Sequence, residues 1–297
     1  MATTTTPAKR KVTPKTAEHP LAALIPPMHF YDDYVSRVFP GGHTDLDLFL
    51  VARSEQDNVM LAGDTGTGKT SAVLAFCAKN KIPLVTISCN QGVDPSTFFS
   101  RPKFNDDGSF TMVKTDVVTA LEYGGLIYFD ECNALPPGIS VVFHPGLDKR
   151  RQMRIIELDL TINLHDDAQF LANYNPDYEG MRSMNQAFVN RFSMPLLFDY
   201  DRALEEKIVT GIPALIDLAE KLRERRKSGD IDTPLGTNVL LEFEGYAWSL
   251  GVDFAIYNFI NHFPAHEQAV ITNTIDHYKV VIAEQRDAGV AAEKEGS

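Results

Sequence analysis

Long apolar runs are missing from this 297-residue chain. None approaches the roughly 18 residues that a transmembrane helix needs, which argues against a membrane span. The opening MATTTTPAKRKVTPK has no apolar core and does not read as a secretory leader. Cysteine is scarce. Cys77, Cys89 and Cys132 have apolar neighbours and neither paired nor metal-ligand spacing, so buried, reduced thiols of a cytosolic protein are expected. Positive charge is also short, with 28 Lys and Arg against 40 Asp and Glu and a net charge of −12. That balance stands against a broad nucleic-acid footprint, which needs a basic surface. Only the first twenty residues run the other way, at +3, leaving −15 for the rest. A disordered solubilising tail is expected there, with contact to nucleic acid as the alternative.

What is present is alternation. Between about 44 and 200, apolar runs VMLA (59–62), IPLVTIS (82–88), LIYFD (126–130), AQFLAN (168–173) and PLLFDY (195–200) alternate with helical patterns. Such alternation predicts a parallel sheet with crossover helices. From about 201 the strands stop. LIDLAEKLRERR places Leu215, Leu218 and Leu222 on one helical face, and VLLEFEGYAWSL and EQAVITNTIDHYKVVIAEQ are helical too. The expected organisation is a disordered basic tail over 1–20, an α/β core over 21–200, a helical domain over 201–285 and a flexible tail over 286–297.

The junction NVMLAGDTGTGKTSAVLAF (58–76) carries the chemistry. Gly63 to Thr70 follow the pattern G-x-x-x-x-G-K-[ST], a phosphate cradle between a strand and a helix. Glycines let the backbone of Gly63, Asp64, Thr65, Gly66, Thr67 and Gly68 curl and turn N–H groups inward. The helix opening near Lys69, Thr70 and Ser71 adds the positive end of its dipole. Lys69 is placed to reach terminal phosphates, and the Thr70 hydroxyl to ligate Mg²⁺. Such a match arises by chance in a chain of this length about once in a hundred.

A cradle alone hydrolyses nothing; a metal anchor and a group to orient water are also needed. YGGLIYFDEC supplies a buried strand ending in Asp130, a Mg²⁺ anchor, and Glu131, to polarise water; ligands gather at that edge of parallel sheets. FLANYNP (171–177) ends a strand in Asn175-Pro176, and the Asn175 amide is placed to hold the water and sense the γ-phosphate; a simple Asn-Pro turn is the plain alternative, and Asn173 the second candidate. MNQAFVNRFSMPLLF puts Arg191 at a helix end, able to reach a neighbouring subunit's γ-phosphate, or else a plain surface arginine.

Taken in order, AGDTGTGKT, LIYFDE, NYNP and NRF resemble the ATPase motifs of the AAA+ superfamily, over roughly residues 40–200. The segments FDECNALPPGISVVFHPGLD, DVVTALEYGGLIYFDE and NLHDDAQFLANYNP resemble its MoxR-like branch, which holds the CbbQ/NorQ, GvpN and CobS-type ATPases; Asn173 stands where that branch usually has threonine. The resemblance implies a P-loop αβα sandwich followed by a small helical lid. It implies ATP and Mg²⁺ as cofactors, Gly63–Thr70 as Walker A, Asp130 and Glu131 as Walker B, Asn175 as sensor 1 and Arg191 as an arginine finger acting in trans. A ring, usually a hexamer, follows from that last role. The lid arginine that the family calls sensor 2 has Asn238 at its aligned position, with Arg182 or Arg202 as possible substitutes. Two hairpin insertions are expected, RPKFNDDGSFTMVKT (101–115) with an Asp-Gly turn and RIIELDLTINL (154–164). In the resembled ring they project toward the pore or the partner. Phe104, Phe110 and Met112 would then grip a client, unless the hairpin packs locally. Lys149, Arg150, Arg151 and Arg154 would line an interface or form a solvated patch.

Three functions follow. One is a Mg²⁺-dependent ring ATPase remodelling a protein partner, for which relatives often use a von Willebrand A domain protein. The second is a nucleic-acid motor or loader, disfavoured by the acidic body. The third is a nucleotide-stabilised scaffold that hydrolyses slowly, hinted at by Asn238. The compact chain suits a bacterial or phage protein acting in the cytoplasm.

Overall fold

A computed structural model describes residues 19–89, 98–176 and 185–295. In chain order the elements are α1 (His29–Asp32), α2 (Asp45–Glu55), β1 (Val59–Ala62), α3 (Lys69–Asn80), β2 (Leu84–Ser88), β3 (Ser100–Phe104), β4 (Phe110–Lys114), α4 (Asp116–Tyr123), β5 (Leu126–Asp130) and α5 (Pro137–Leu147). They continue with β6 (Gln152–Ile155), β7 (Leu160–Asn163), β8 (Gln169–Tyr174), α6 (Gln186–Val189), β9 (Met194–Leu197), α7 (Arg202–Ile208), α8 (Ala214–Ser228), α9 (Thr237–Leu250), α10 (Val252–Asn261), α11 (Gln268–Asp276) and α12 (Lys279–Glu295).

Five strands form one parallel sheet in the order β2-β5-β8-β1-β9. Alternate strand residues go to opposite faces, and both faces are covered. Val59, Leu61, Leu126, Tyr128 and Leu171 pack with Phe49 of α2 and Phe76 of α3. Met60, Ile127, Phe129, Phe170 and Ala172 pack with Leu121 of α4 and Phe143 of α5. This double covering is why the strands read as short unbroken apolar runs. α2 starts at a Thr44–Asp47 capping box, which satisfies two N–H groups at its head.

The strands lie where the apolar runs place them, within one or two residues, except that β9 stops at Leu197. The two hairpins form as antiparallel pairs, β3–β4 and β6–β7. After β9 the chain is helical, around a separate core in which Leu215, Leu218 and Leu222 are fully buried with Leu240, Phe243, Phe259 and Ile275. Cys77, Cys89 and Cys132 are buried and free; burial pushes the Cys77 thiol up to about 12. No helix among the described residues is long and apolar enough to cross a membrane.

One expectation is corrected. The stretch from 286 was to be a flexible tail, but α12 continues to Glu295. Its residues favour helix, and tertiary contacts hold it. Gln285 accepts from Ala214 N at 2.9 Å, Arg286 donates to Ala247 O at 3.2 Å, and Gly289 lies against the Trp248 ring. The expected N-terminal tail lies outside the described residues, save its last two.

Candidate functional site

The loop between β1 and α3 is pressed from outside. A Cβ on Gly63 would stand 2.0 Å from the Phe198 carbonyl oxygen. On Gly66, which has φ +75°, it would stand 2.4 Å from Asn238 Oδ1 and 2.5 Å from Gly236 Cα. Only glycine fits either place. Thr67 Oγ1 braces the loop by donating to Asp64 O at 2.8 Å. α3 starts directly after Gly68 with no side-chain cap, so its first N–H groups and dipole are directed at the loop's concavity. Thr65, Thr70 and Ser71 are exposed there.

The Lys69 ammonium sits inside this loop. It donates to Gly63 O and Asp64 O, each at 2.7 Å, and to Asn175 Oδ1 at 2.8 Å. Burial draws its pKa down to about 8, against the opposing pull of Asp64, Asp130 and Glu131. Asn175 also donates to Thr65 Oγ1 at 3.3 Å, so the end of β8 touches the loop twice.

The two carboxylates stand at the end of β5. Asn173 Nδ2 donates to Asp130 Oδ1 at 2.9 Å, and Asn173 Oδ1 accepts from Glu131 N at 2.5 Å. Asn173 is buried and works as a bracket for both acidic residues. Glu131 itself is left-handed, with φ 55° and ψ 51°. That conformation costs a non-glycine residue roughly 1 kcal/mol or more and is held here by the Asn173 bond. Thr70 Oγ1 lies 3.1 Å from the Tyr128 hydroxyl, whose pKa is raised mainly by burial and also by the charge of Asp130 nearby. A hydroxyl from α3 and a carboxylate from β5 thus converge, the hard oxygen donors that Mg²⁺ takes. An ammonium, capless helix N–H groups and a glycine-lined turn likewise suit a phosphate chain.

Arg191 is not part of this cluster. Its guanidinium bends back to Ala187 O, and its carbonyl accepts from Asn58 Nδ2 at 2.9 Å. Asn58 precedes β1, so the Arg191 carbonyl lies at the N-terminal end of the strand whose C-terminal end leads into Gly63. Arg202 is engaged with Glu206, Asp217 and Glu220 on the surface of the helical part; Arg182 lies outside the described residues. Asn238 does reach the loop, beside Gly66, but brings no charge. Phe104 and Phe110 face each other across β3–β4 and are 77% and 63% exposed. In the basic run, Arg150 pairs with Asp148, Arg154 with Asp159, and Arg151 donates to Ala168 O.

Four contributors had no sequence signal. Arg37 is buried, donates to Thr67 O at 3.2 Å and stacks 5.1 Å over Phe198. Tyr128 reads as one more apolar strand residue. Tyr200 OH donates to Thr65 O at 2.9 Å, and Arg226 of α8 pairs with Asp64 at 2.5 Å.

Residues 58–192 match the AAA domain of the dynein-related subfamily. The matched stretch holds the sheet through β8, both hairpins, the Lys69 loop, the two carboxylates and Arg191. The chain is 28% identical over 236 residues to protein CbbQ of Hydrogenophilus thermoluteolus, covering 75% of this chain and 86% of that one. It is 26% identical over 210 residues to the denitrification regulatory protein NirQ of Pseudomonas aeruginosa, covering 67% and 79%. With NirQ of Stutzerimonas stutzeri it shares 27% over 203 residues, covering 68% and 70%. The similarity to CbbQ agrees with the resemblance that the motifs carry.

Proposed function

We propose that the chain is a Mg²⁺-dependent ATPase that works as a ring and remodels or activates a partner protein. The observation that carries this is convergence: the Lys69 ammonium and the Asn175 amide meet where β1 and β8 end, and Asn173 brackets Asp130 and Glu131 at the end of β5, near enough for both acids to act on the ammonium.

In this reading Lys69 and the backbone N–H groups of the loop hold the phosphates. Thr70 and Asp130 would hold Mg²⁺, which when bound offsets phosphate charge. The Glu131 carboxylate accepts a hydrogen bond from the attacking water, and Asn175 fixes that water's position beside the terminal phosphate. Arg191 faces away from its own loop and serves the site of a neighbouring copy, which makes a closed ring, a hexamer in this branch, the working form. A cation so placed contributes about 10³–10⁵ in rate in other NTPases. The partner is read as a protein, of the kind that carries a von Willebrand A domain, and the exposed Phe104–Phe110 pair as its grip.

ATP turnover measured together with oligomer mass tests this. The wild type should turn over with Mg²⁺ as a ring. Glu131→Gln should keep ATP and ring but lose hydrolysis. Arg191→Ala should bind ATP without hydrolysing it, and regain activity when mixed with subunits that supply the arginine. Wild-type assembly with turnover no faster than Glu131→Gln would replace the motor by a scaffold.

A further inference from the structure

Three consecutive residues of the phosphate loop are each held by a different part of the chain beyond β9. The Asp64 carboxylate pairs with Arg226 of α8 at 2.5 Å. Thr65 O accepts from the Tyr200 hydroxyl at 2.9 Å, and Gly66 O from Thr237 N, at the head of α9, at 3.2 Å. The two oxygen functions of Asp64 do different things. Its carbonyl takes the Lys69 ammonium at 2.7 Å and the Thr67 hydroxyl at 2.8 Å, while its carboxylate takes the lid.

Arg226 is built into the lid as well. Its Nε donates to Asp232 O at 3.0 Å, and the N–H groups of Asp232 and Thr233 are held by Glu267, at 2.7 and 3.1 Å. Glu267 is 1% exposed and immediately precedes α11. A continuous line of polar contacts therefore runs from the phosphate loop through Arg226 into the lid. One turn earlier on α8, Arg223 does a different task. It grips buried Glu205 with both arms at 2.7 Å and lies 3.8 Å over the Tyr200 ring, which fixes the joint itself. Arg226 and Asp64 are less enclosed, at 21% and 18% side-chain exposure.

We propose that Arg226 is the positioning residue that couples the lid to occupation of the phosphate loop. The inference rests on the nucleotide reading above. A phosphate chain in the loop draws the Lys69 ammonium from the Asp64 carbonyl and brings negative charge beside the Asp64 carboxylate. Both raise the cost of separating that carboxylate from its arginine, so a loaded loop favours a docked lid. Coupling is reciprocal, and the docked lid raises nucleotide affinity by the same factor. Arginine is suited to the task because one guanidinium serves Asp64 and Asp232 at once.

The test uses the full chain with Mg²⁺ and a fluorescent ADP analogue, together with hydrogen exchange over residues 229–236. In the wild type, ADP should bind and protect that segment. Arg226→Ala should weaken ADP binding about tenfold and abolish the protection change. Arg226→Lys should recover part of both. Asp64→Asn, which keeps shape and removes charge, should reproduce the decoupling, and the double variant should lose little more than either single one. Wild-type affinity with an intact protection change in Arg226→Ala and Asp64→Asn overturns the coupling and leaves the nucleotide reading standing. Failure of the wild type to bind ADP at all removes both.

Discussion

Lys69 and Asn175, 106 residues apart, meet at 2.8 Å where α3 begins and β8 ends. The contact joins the group that would grip phosphate to the group that would place water, so each is positioned by the other. Burial makes this ammonium unusual, with a pKa drawn down to about 8 from an ordinary 10.5.

A pH dependence follows with opposite signs for binding and stability. Below about 8 the folded and unfolded chains both carry the proton. Between about 8 and 10.5 the folded chain releases it first, so the unfolded state binds more protons and this group's contribution to stability rises with pH. Nucleotide affinity should fall over the same range, because a neutral amine offers phosphate no charge. ADP binding and thermal midpoints measured from pH 7 to 10 check this, with Lys69→Met expected to flatten both profiles. Affinity that is level across the window in the wild type would sink the assignment.

Asn173→Ala should separate catalysis from binding. The substitution removes the donor to Asp130 and the acceptor for Glu131 N. A buried N–H left without a partner costs about 1–3 kcal/mol, and the left-handed Glu131 loses its brace. Denaturation should show a loss in that range, ATP hydrolysis should drop by an order of magnitude or more, and ADP affinity should stay within a few-fold. An unchanged hydrolysis rate would show that the bracket is dispensable.

Two glycine-to-alanine changes should differ in sign. At Gly63 the new Cβ meets a backbone oxygen at 2.0 Å, so the loop or the Phe198 strand end must move. A loss of about 2 kcal/mol or more, with loss of nucleotide binding, is expected. At Gly138, in α5, nothing lies within 4 Å. There alanine should be neutral or stabilise by up to about 1 kcal/mol. Urea midpoints of the two variants decide it.

Glu205→Ala should cost far more than an ordinary surface change. Glu205 is 1% exposed and holds both arms of Arg223 as well as the Thr237 hydroxyl, at 2.6 Å. Removing it leaves a largely buried guanidinium without its counter-charge, worth about 3–5 kcal/mol. Arg202→Ala, which breaks three solvent-screened pairs, should leave stability nearly unchanged. Comparable losses in the two variants would contradict the role given to burial.

Much of this molecule was legible because its signals are local. The five strands stand out as runs covered on both faces, and Gly63 to Thr70 and Asp130–Glu131 each fall within a few residues of one another. What escaped depends on distance along the chain. Asp64 and Arg226 are 162 residues apart, and nothing near Arg226 in LRERRKS distinguishes it from Arg225. Arg37 reaches Thr67 through an irregular segment with no period to read. Beyond the end of β9, the Phe198 carbonyl and the Tyr200 hydroxyl lie against the loop of Gly63 to Gly68, which a run of apolar residues does not reveal. The end of α12 was misjudged because its composition is polar while its anchors, Gln285, Arg286 and Gly289, contact distant residues.

The two hairpins differ in how freely they can be exchanged. In β6–β7, Met153, Ile155 and Ile162 are inserted into the same apolar cluster as Phe143 and Phe170. In β3–β4 Ser100, at the base, is buried and Val113 half-buried, while the other strand residues are exposed. Residues 102–112 can therefore be exchanged for another hairpin while the apolar clusters stay intact. An equivalent graft at 152–163 would remove part of the wall on which the sheet rests.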